Sequence, residues 1–211
     1  MKNRLHVCAF MLFSMLVFVP SHASVGNQYA EHLVKSLLPT IYDYLPLLKD
    51  ETESAKLNKV LNDGGNSVQI FNASRTSDNK SYVLIYGHVV PGGSNLSTML
   101  FVADNEEEFN KISSNVIEDA KTATKTAGFR MLKLERVKKS SDRADYYRVV
   151  NTDGKNIGNY LFVSRGKNIL VVSISGSEGF EEEKAIDKFL SGKIEKALSF
   201  KPDKNSPNFS P

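Results

Sequence analysis

Cysteine is almost absent from this chain of 211 residues, and the one present, Cys8, lies in a leader-like segment at the start. Without that segment the protein has no disulfide, no thiolate metal site and no cysteine nucleophile. Histidine is nearly as scarce. Of four, His6 and His22 fall in the same segment, and the remaining pair, His32 and His88, has no spacing suited to a metal site. Neither sign of charge dominates, with 27 lysines and arginines against 24 acids and a formal net charge of +3. Long apolar runs are missing too. The longest, Leu5 to Val19, is short of the roughly 20 residues that a membrane-spanning helix needs.

That run is instead of the length expected for the core of an export signal. Lys2 and Arg4 give it a positive start, and Pro20-Ser21-His22-Ala23 places small residues at the minus-three and minus-one positions. Cleavage is expected after Ala23, with residues 1–23 as signal peptide and the mature domain in the periplasm or outside the cell of a bacterium. A retained anchor is disfavoured by length. Lipid attachment at Cys8 is disfavoured by position, since a lipidated cysteine follows the apolar run rather than opening it. Loss of Lys2 and Arg4, with no acid in the same segment, leaves 25 basic residues against 24 acids, so +3 becomes +1. A nearly neutral domain has no general attraction for nucleic acid or anionic membrane. It is long enough to bury one substantial core without staples.

Three zones follow. Within residues 24–66, Leu33, Val34, Leu37, Leu38, Ile41, Tyr44, Leu45 and Leu48 recur at helical spacing, and Pro39 and Pro46 break them into a kinked helix or two short ones. Next come strands over Val68–Ala73, Tyr82–Val90 and Thr98–Ala103, punctuated by turn compositions at Thr76–Lys80 and Pro91–Asn95. A helix then starts after Asp104 or Asn105, with Glu107 or Glu108 in a capping-box position and Gly128 as its stop. Strands at Arg130–Lys138, Asp145–Asn151, Asn159–Ser164 and Asn168–Ser175 are followed by a last helix, Phe180–Phe200, and a polar tail over residues 201–211. The strand Asn168–Ser175 has apolar residues on both faces and is expected at the centre of the sheet. The fold class is α+β: an antiparallel sheet of six or seven strands flanked by helices, with an extra N-terminal helical segment.

The pattern over residues 67–200 resembles the PsbP-like superfamily, an α/β/α sandwich of Mog/PsbP type, and within it the DcrB group of small exported bacterial proteins. The helix Asn105–Ala127, the strands Tyr146–Val150 and Tyr160–Val163, the turn Gly166-Lys167, the strand Ile169–Ser175 with Gly176-Ser177, and the closing helix carry the resemblance. The DcrB group resembles lipoproteins, whereas no lipid-attachment cysteine is present here, and the Tyr29–Asp63 helical zone is an addition. The resemblance implies an accessory or binding role and brings no catalytic residue with it.

His88 and Tyr86 share one face of a strand and form the first candidate site, a base or ligand contact. The second is a basic hairpin, with Lys133, Arg136, Lys138, Lys139, Arg143 and Arg148 interleaved with Tyr146 and Tyr147; it could grip an anionic head group, glycan or acidic partner. Its competing reading is a solvated edge that blocks aggregation. Glu106-Glu107-Glu108 and Glu181-Glu182-Glu183 read as helix-start acids that complement the dipole rather than as cation sites. Gly92-Gly93 lacks the lysine and helix of a phosphate loop, and Ser175-Gly176-Ser177 lacks the context of a nucleophile elbow. The sequence calls for no metal, no cofactor and no nucleic-acid partner. Three functions are expected in descending order: a non-enzymatic envelope protein that binds a protein partner or envelope component, a carrier of a small apolar ligand or lipid, and a hydrolase built on His88.

Overall fold

Two β-meanders joined by one long helix make a seven-stranded antiparallel sheet in the order β1-β2-β3-β7-β6-β5-β4. The structure, a computed structural model, describes residues 28–47, 55, 58–59, 67–89, 95–134, 142–176, 180 and 183–203. The segment expected to be a signal peptide, most of residues 48–66, Arg136 with its lysine neighbours, and the tail beyond 203 lie outside the described residues.

The first meander is β1 (Val68–Arg75), β2 (Ser81–Val89) and β3 (Asn95–Ala103). Its first turn holds Asn79 at a φ of 60°, a left-handed conformation that asparagine tolerates. Helix Glu106–Thr126 then carries the chain to the far edge of the sheet. The second meander, β4 (Arg130–Leu134), β5 (Arg143–Val150), β6 (Asn156–Arg165) and β7 (Asn168–Ser175), returns to pair β7 against β3. The apolar strand Asn168–Ser175 is therefore central, as its two-sided pattern requires. β3 begins three residues before the expected Thr98. Asn95, Leu96 and Ser97 join the ladder opposite Ser175, Ile174 and Ser173, where backbone pairing outweighs weak strand propensity.

Helical pieces precede and follow the strands on the face opposite Glu106–Thr126. The first is α1 (Gln28–Leu37), with α2 (Ile41–Tyr44) after Pro39 and a 3-10 turn (Leu45–Leu47) around Pro46. Glu106–Thr126 is α3. The expected single C-terminal helix is two: α4 (Glu183–Ser191) and α5 (Ile194–Ser199). Gly192 interrupts it. Glycine carries the poorest propensity of any residue but proline, the Ser191 hydroxyl turns back to Lys188 O at 2.9 Å, and the Lys193 N–H closes a tight turn on Leu190 O at 3.1 Å. The apolar face continues unbroken through the kink, with Ile186, Phe189, Leu190, Ile194, Ala197 and Leu198 all buried.

Alternation along each strand divides the core in two. Even positions of β2 and β3, with Leu161, Val163, Leu170, Val172 and Ile174, pack against α1, α2, α4 and α5. Odd positions such as Val83, Ile85 and Met99, with Phe162, Ile169 and Val171, pack against α3. The N-terminal helices belong to the first of these layers. Val34, Leu38 and Ile41 are fully buried, the Thr98 hydroxyl donates to Pro39 O at 2.8 Å, and the Asp43 carboxylate accepts from Lys193 Nζ at 2.8 Å. The same carboxylate caps α2 by accepting from the Thr40 N–H at 2.7 Å. Helix α1 is part of the sandwich, and the segment after it is tied to the sheet at Pro39 and to the C-terminal helices at Asp43.

Candidate functional site

His88 sits on β2 opposite Gln69 of β1 and Leu96 of β3, on the face covered by the N- and C-terminal helices. Its side chain is fully buried, and neither ring nitrogen has a hydrogen-bond partner among the described residues. Burial pushes its pKa below the ordinary value, so the ring is neutral at pH 7. A general base must reach the proton it removes, and His88 presents no nitrogen to solvent. The unfolded chain, with an ordinary histidine pKa near 6.5, binds the proton first. Stability is therefore full above about pH 7 and declines as pH falls through about 6.5. The His88→Leu variant is expected to flatten the pH dependence of the thermal midpoint between pH 7 and pH 5, measured by circular dichroism. Asp78 and Asp145, whose pKa values lie below the carboxylate norm, lose their contributions only in more acid solution, below about pH 4.

Tyr86, the companion candidate, is an anchor. Its hydroxyl accepts from the Ile41 N–H at 3.2 Å, a donor that the first turn of α2 would otherwise leave unsatisfied, and its ring lies 5.4 Å from that of Phe71. Burial raises its phenol above the ordinary range.

The basic hairpin does not form one surface. Arg143 lies on the α3 face of β5, whereas Tyr146 and Arg148 lie on the opposite face, because residues an odd number apart point to opposite sides of a strand. Tyr146 is fully buried. Lys133 and Arg143 both turn to Asp145, a buried carboxylate that accepts from Lys133 Nζ at 2.5 Å and Arg143 Nε at 2.6 Å. The Arg143 guanidinium also lies 5.1 Å from the Phe162 ring centre. Burial alone would raise the Asp145 pKa; the two cationic hydrogen bonds outweigh it and hold the carboxyl below its usual range. Two of the hairpin's cations are thus consumed by an internal acid. Arg136 lies outside the described residues.

A site that the sequence did not announce lies on the α3 side. Helix α3 leans across the sheet and leaves a partly open cavity of about 180 Å³ between itself and the β1–β2–β3 corner. Val83, Ile85, Met99 and Phe101 form its floor, and Ile112, Val116 and Ala120 of α3 form its wall. The β1–β2 turn, residues 74–78, closes one end. Charged side chains ring the mouth: Arg75, Asp78, Glu108, Lys111 and Asp119. The one available signal was the apolar run on both faces of β2.

No protein-family model, curated protein or solved structure matches this chain. Among the described residues no group of three or more histidine, aspartate, glutamate or cysteine side chains is placed to hold a metal ion. Among the same residues no helix is long and apolar enough to cross a membrane.

Proposed function

We propose that this protein is a non-enzymatic binding domain of the bacterial cell envelope, and that its ligand is a small, mostly apolar molecule held between α3 and the sheet. The cavity carries the reading. Protein cores close to crystal-like density leave few voids larger than a water molecule, and a space of roughly 150 Å³ lined by apolar side chains takes a benzene-sized guest. At about 180 Å³, this one suits a single ring or a chain of several methylenes. Export rests on the leader pattern at Lys2–Ala23. The PsbP-like kinship is part of the same proposal, supported by a sandwich of helices on an antiparallel sheet. The geometry moves weight from docking of a protein partner, for which the divided basic hairpin offers little, to the carrier reading.

Titration with 1-hexanol, followed by NMR of the methyl groups of Val83, Ile85 and Met99, tests the proposal. Saturable shifts confined to these residues are expected. Ala120→Leu, which puts a larger side chain into the wall, is expected to weaken binding about tenfold or more, equal to about 1.4 kcal/mol, while the thermal midpoint shows that the fold persists. Shifts that do not saturate, or that scatter over the surface, would overturn it.

A further inference from the structure

The floor and wall of the cavity are apolar, and one of the charged side chains at its edge, Glu108, is buried. Glu108 is the third residue of α3 after the N-cap, Asn105, whose Oδ1 accepts from the Glu108 N–H at 2.9 Å. In a complete capping box the glutamate returns the bond to the N-cap N–H. Here that bond is not made; the side chain lines the cavity and is only 9 % exposed. Its one ionic neighbour among the described residues is Lys111 Nζ at 3.6 Å, beyond hydrogen-bond distance, on a side chain that is 57 % exposed. The sequence assigns Glu108 to capping and dipole support alone. The structure gives half of the cap to Asn105 and places the Glu108 side chain among those that line the cavity.

The surrounding charges leave a negative balance. Three carboxylates line the mouth, Asp78, Glu108 and Asp119, against two cations, Arg75 and Lys111. Arg75 donates to Asp104 at 3.0 Å and to Asn79 O at 3.3 Å, so its charge is directed away from the cavity. Lys111 also stands near Asp78, whose carboxyl it helps to keep ionised after the hydrogen bonds from Thr76 and Lys80. A mostly buried side chain whose carboxylate accepts no hydrogen bond from the described residues rewards a ligand that brings a donor.

We infer that the occupant is a cationic amphiphile, a primary ammonium group on a small hydrocarbon body, with the ammonium seated on Glu108 and the hydrocarbon on the Val83–Met99 floor. This inference rests on the pocket reading above. A carboxylate ligand would instead set a like charge against Glu108, and an alcohol would make only a neutral hydrogen bond. Charge-assisted hydrogen bonds to a shielded group are worth about 1.5–3 kcal/mol, which is about a tenfold or larger preference.

Three probes of one length separate the two proposals: n-hexylamine, 1-hexanol and hexanoate, titrated at pH 7 and followed at the same methyl groups. Hexylamine is expected to bind about tenfold or more tightly than 1-hexanol, and hexanoate more weakly than either. Glu108→Gln keeps the size of the side chain and removes its charge, and is expected to bring the amine-to-alcohol ratio close to one while 1-hexanol binding stays as it was. Equal binding of amine and alcohol, tighter binding of hexanoate, or a ratio unchanged by Glu108→Gln would overturn the ammonium inference and leave the pocket standing. Absence of saturable binding by all three probes would overturn the pocket itself.

Discussion

Gly158→Ala is expected to cost about 3 kcal/mol or more, at the upper end of what overpacking does to a core, and to lower the thermal midpoint by about 10 °C in a domain of this size. Gly158 lies in β6 between Val149 of β5 and Ser175 of β7. A Cβ added there would stand 2.1 Å from Ile174 O and 3.1 Å from both the Ile174 carbonyl carbon and Ser175 Cα. All three are backbone atoms of the central strand, so no side chain can swing aside to make room. The position is also where β5 and β6 slip register: Val149 faces Gly158, and Val150 faces Asn156. The glycine permits that close approach, and the Gly158 N–H donates to Asn156 Oδ1 at 3.1 Å. Denaturant unfolding with a midpoint equal to that of the parent protein would show that β6 and β7 part at little cost.

Asn159→Leu is expected to lose about 3 kcal/mol, although the two side chains are similar in volume. Asn159 is fully buried. Its Nδ2 donates to Phe180 O at 3.1 Å and to Tyr147 O at 3.3 Å, and its Oδ1 accepts from the Phe180 N–H. One amide thus serves both backbone groups of the residue that begins the C-terminal helical layer. The Phe180 ring in turn packs edge-on to Tyr44 at 5.4 Å and tilted on Phe189 at 5.5 Å. Leucine leaves the Phe180 N–H buried without an acceptor, which costs about 1–3 kcal/mol by itself, and Phe180 O keeps only the Asn156 Nδ2 donor at 3.3 Å. The same variant should also be cut sooner and at new positions by a protease, read by mass spectrometry of the early fragments. A thermal midpoint and cleavage pattern like those of the parent would mean that Phe180 is held by ring packing alone.

Neither position stands out in the sequence. Gly158 reads as part of a loop and Asn159 as the first residue of a strand, because both are defined by what lies across the sheet from them. The strands themselves were legible. Alternating β-branched and aromatic residues separated by turn residues place all seven, with errors of a few residues at their ends. The same alternation held an unused warning about the hairpin, since Arg143 and Arg148 could not share a face. The capture of Lys133 and Arg143 by Asp145 depends on the register of β4 and β5, which no local pattern states.

Local rules act over one or two turns of chain, and they sufficed for the prolines that end α1, the Asn105 cap of α3, the central placement of β7 and the sandwich as a class. Packing decided the remainder. His88 and Tyr86 were correctly placed on one face, but only the docking of α1 and α2 turned that face into core and made one an orphaned neutral ring and the other a tether. The cavity has no sequence signature, because α3, the three strands of the first meander and the β1–β2 turn that line it meet only in the folded chain. Glu108 shows the division in a single residue. Its place at a helix start follows from dipole and capping chemistry, whereas its burial at the edge of an apolar cavity follows from the sheet on which α3 packs.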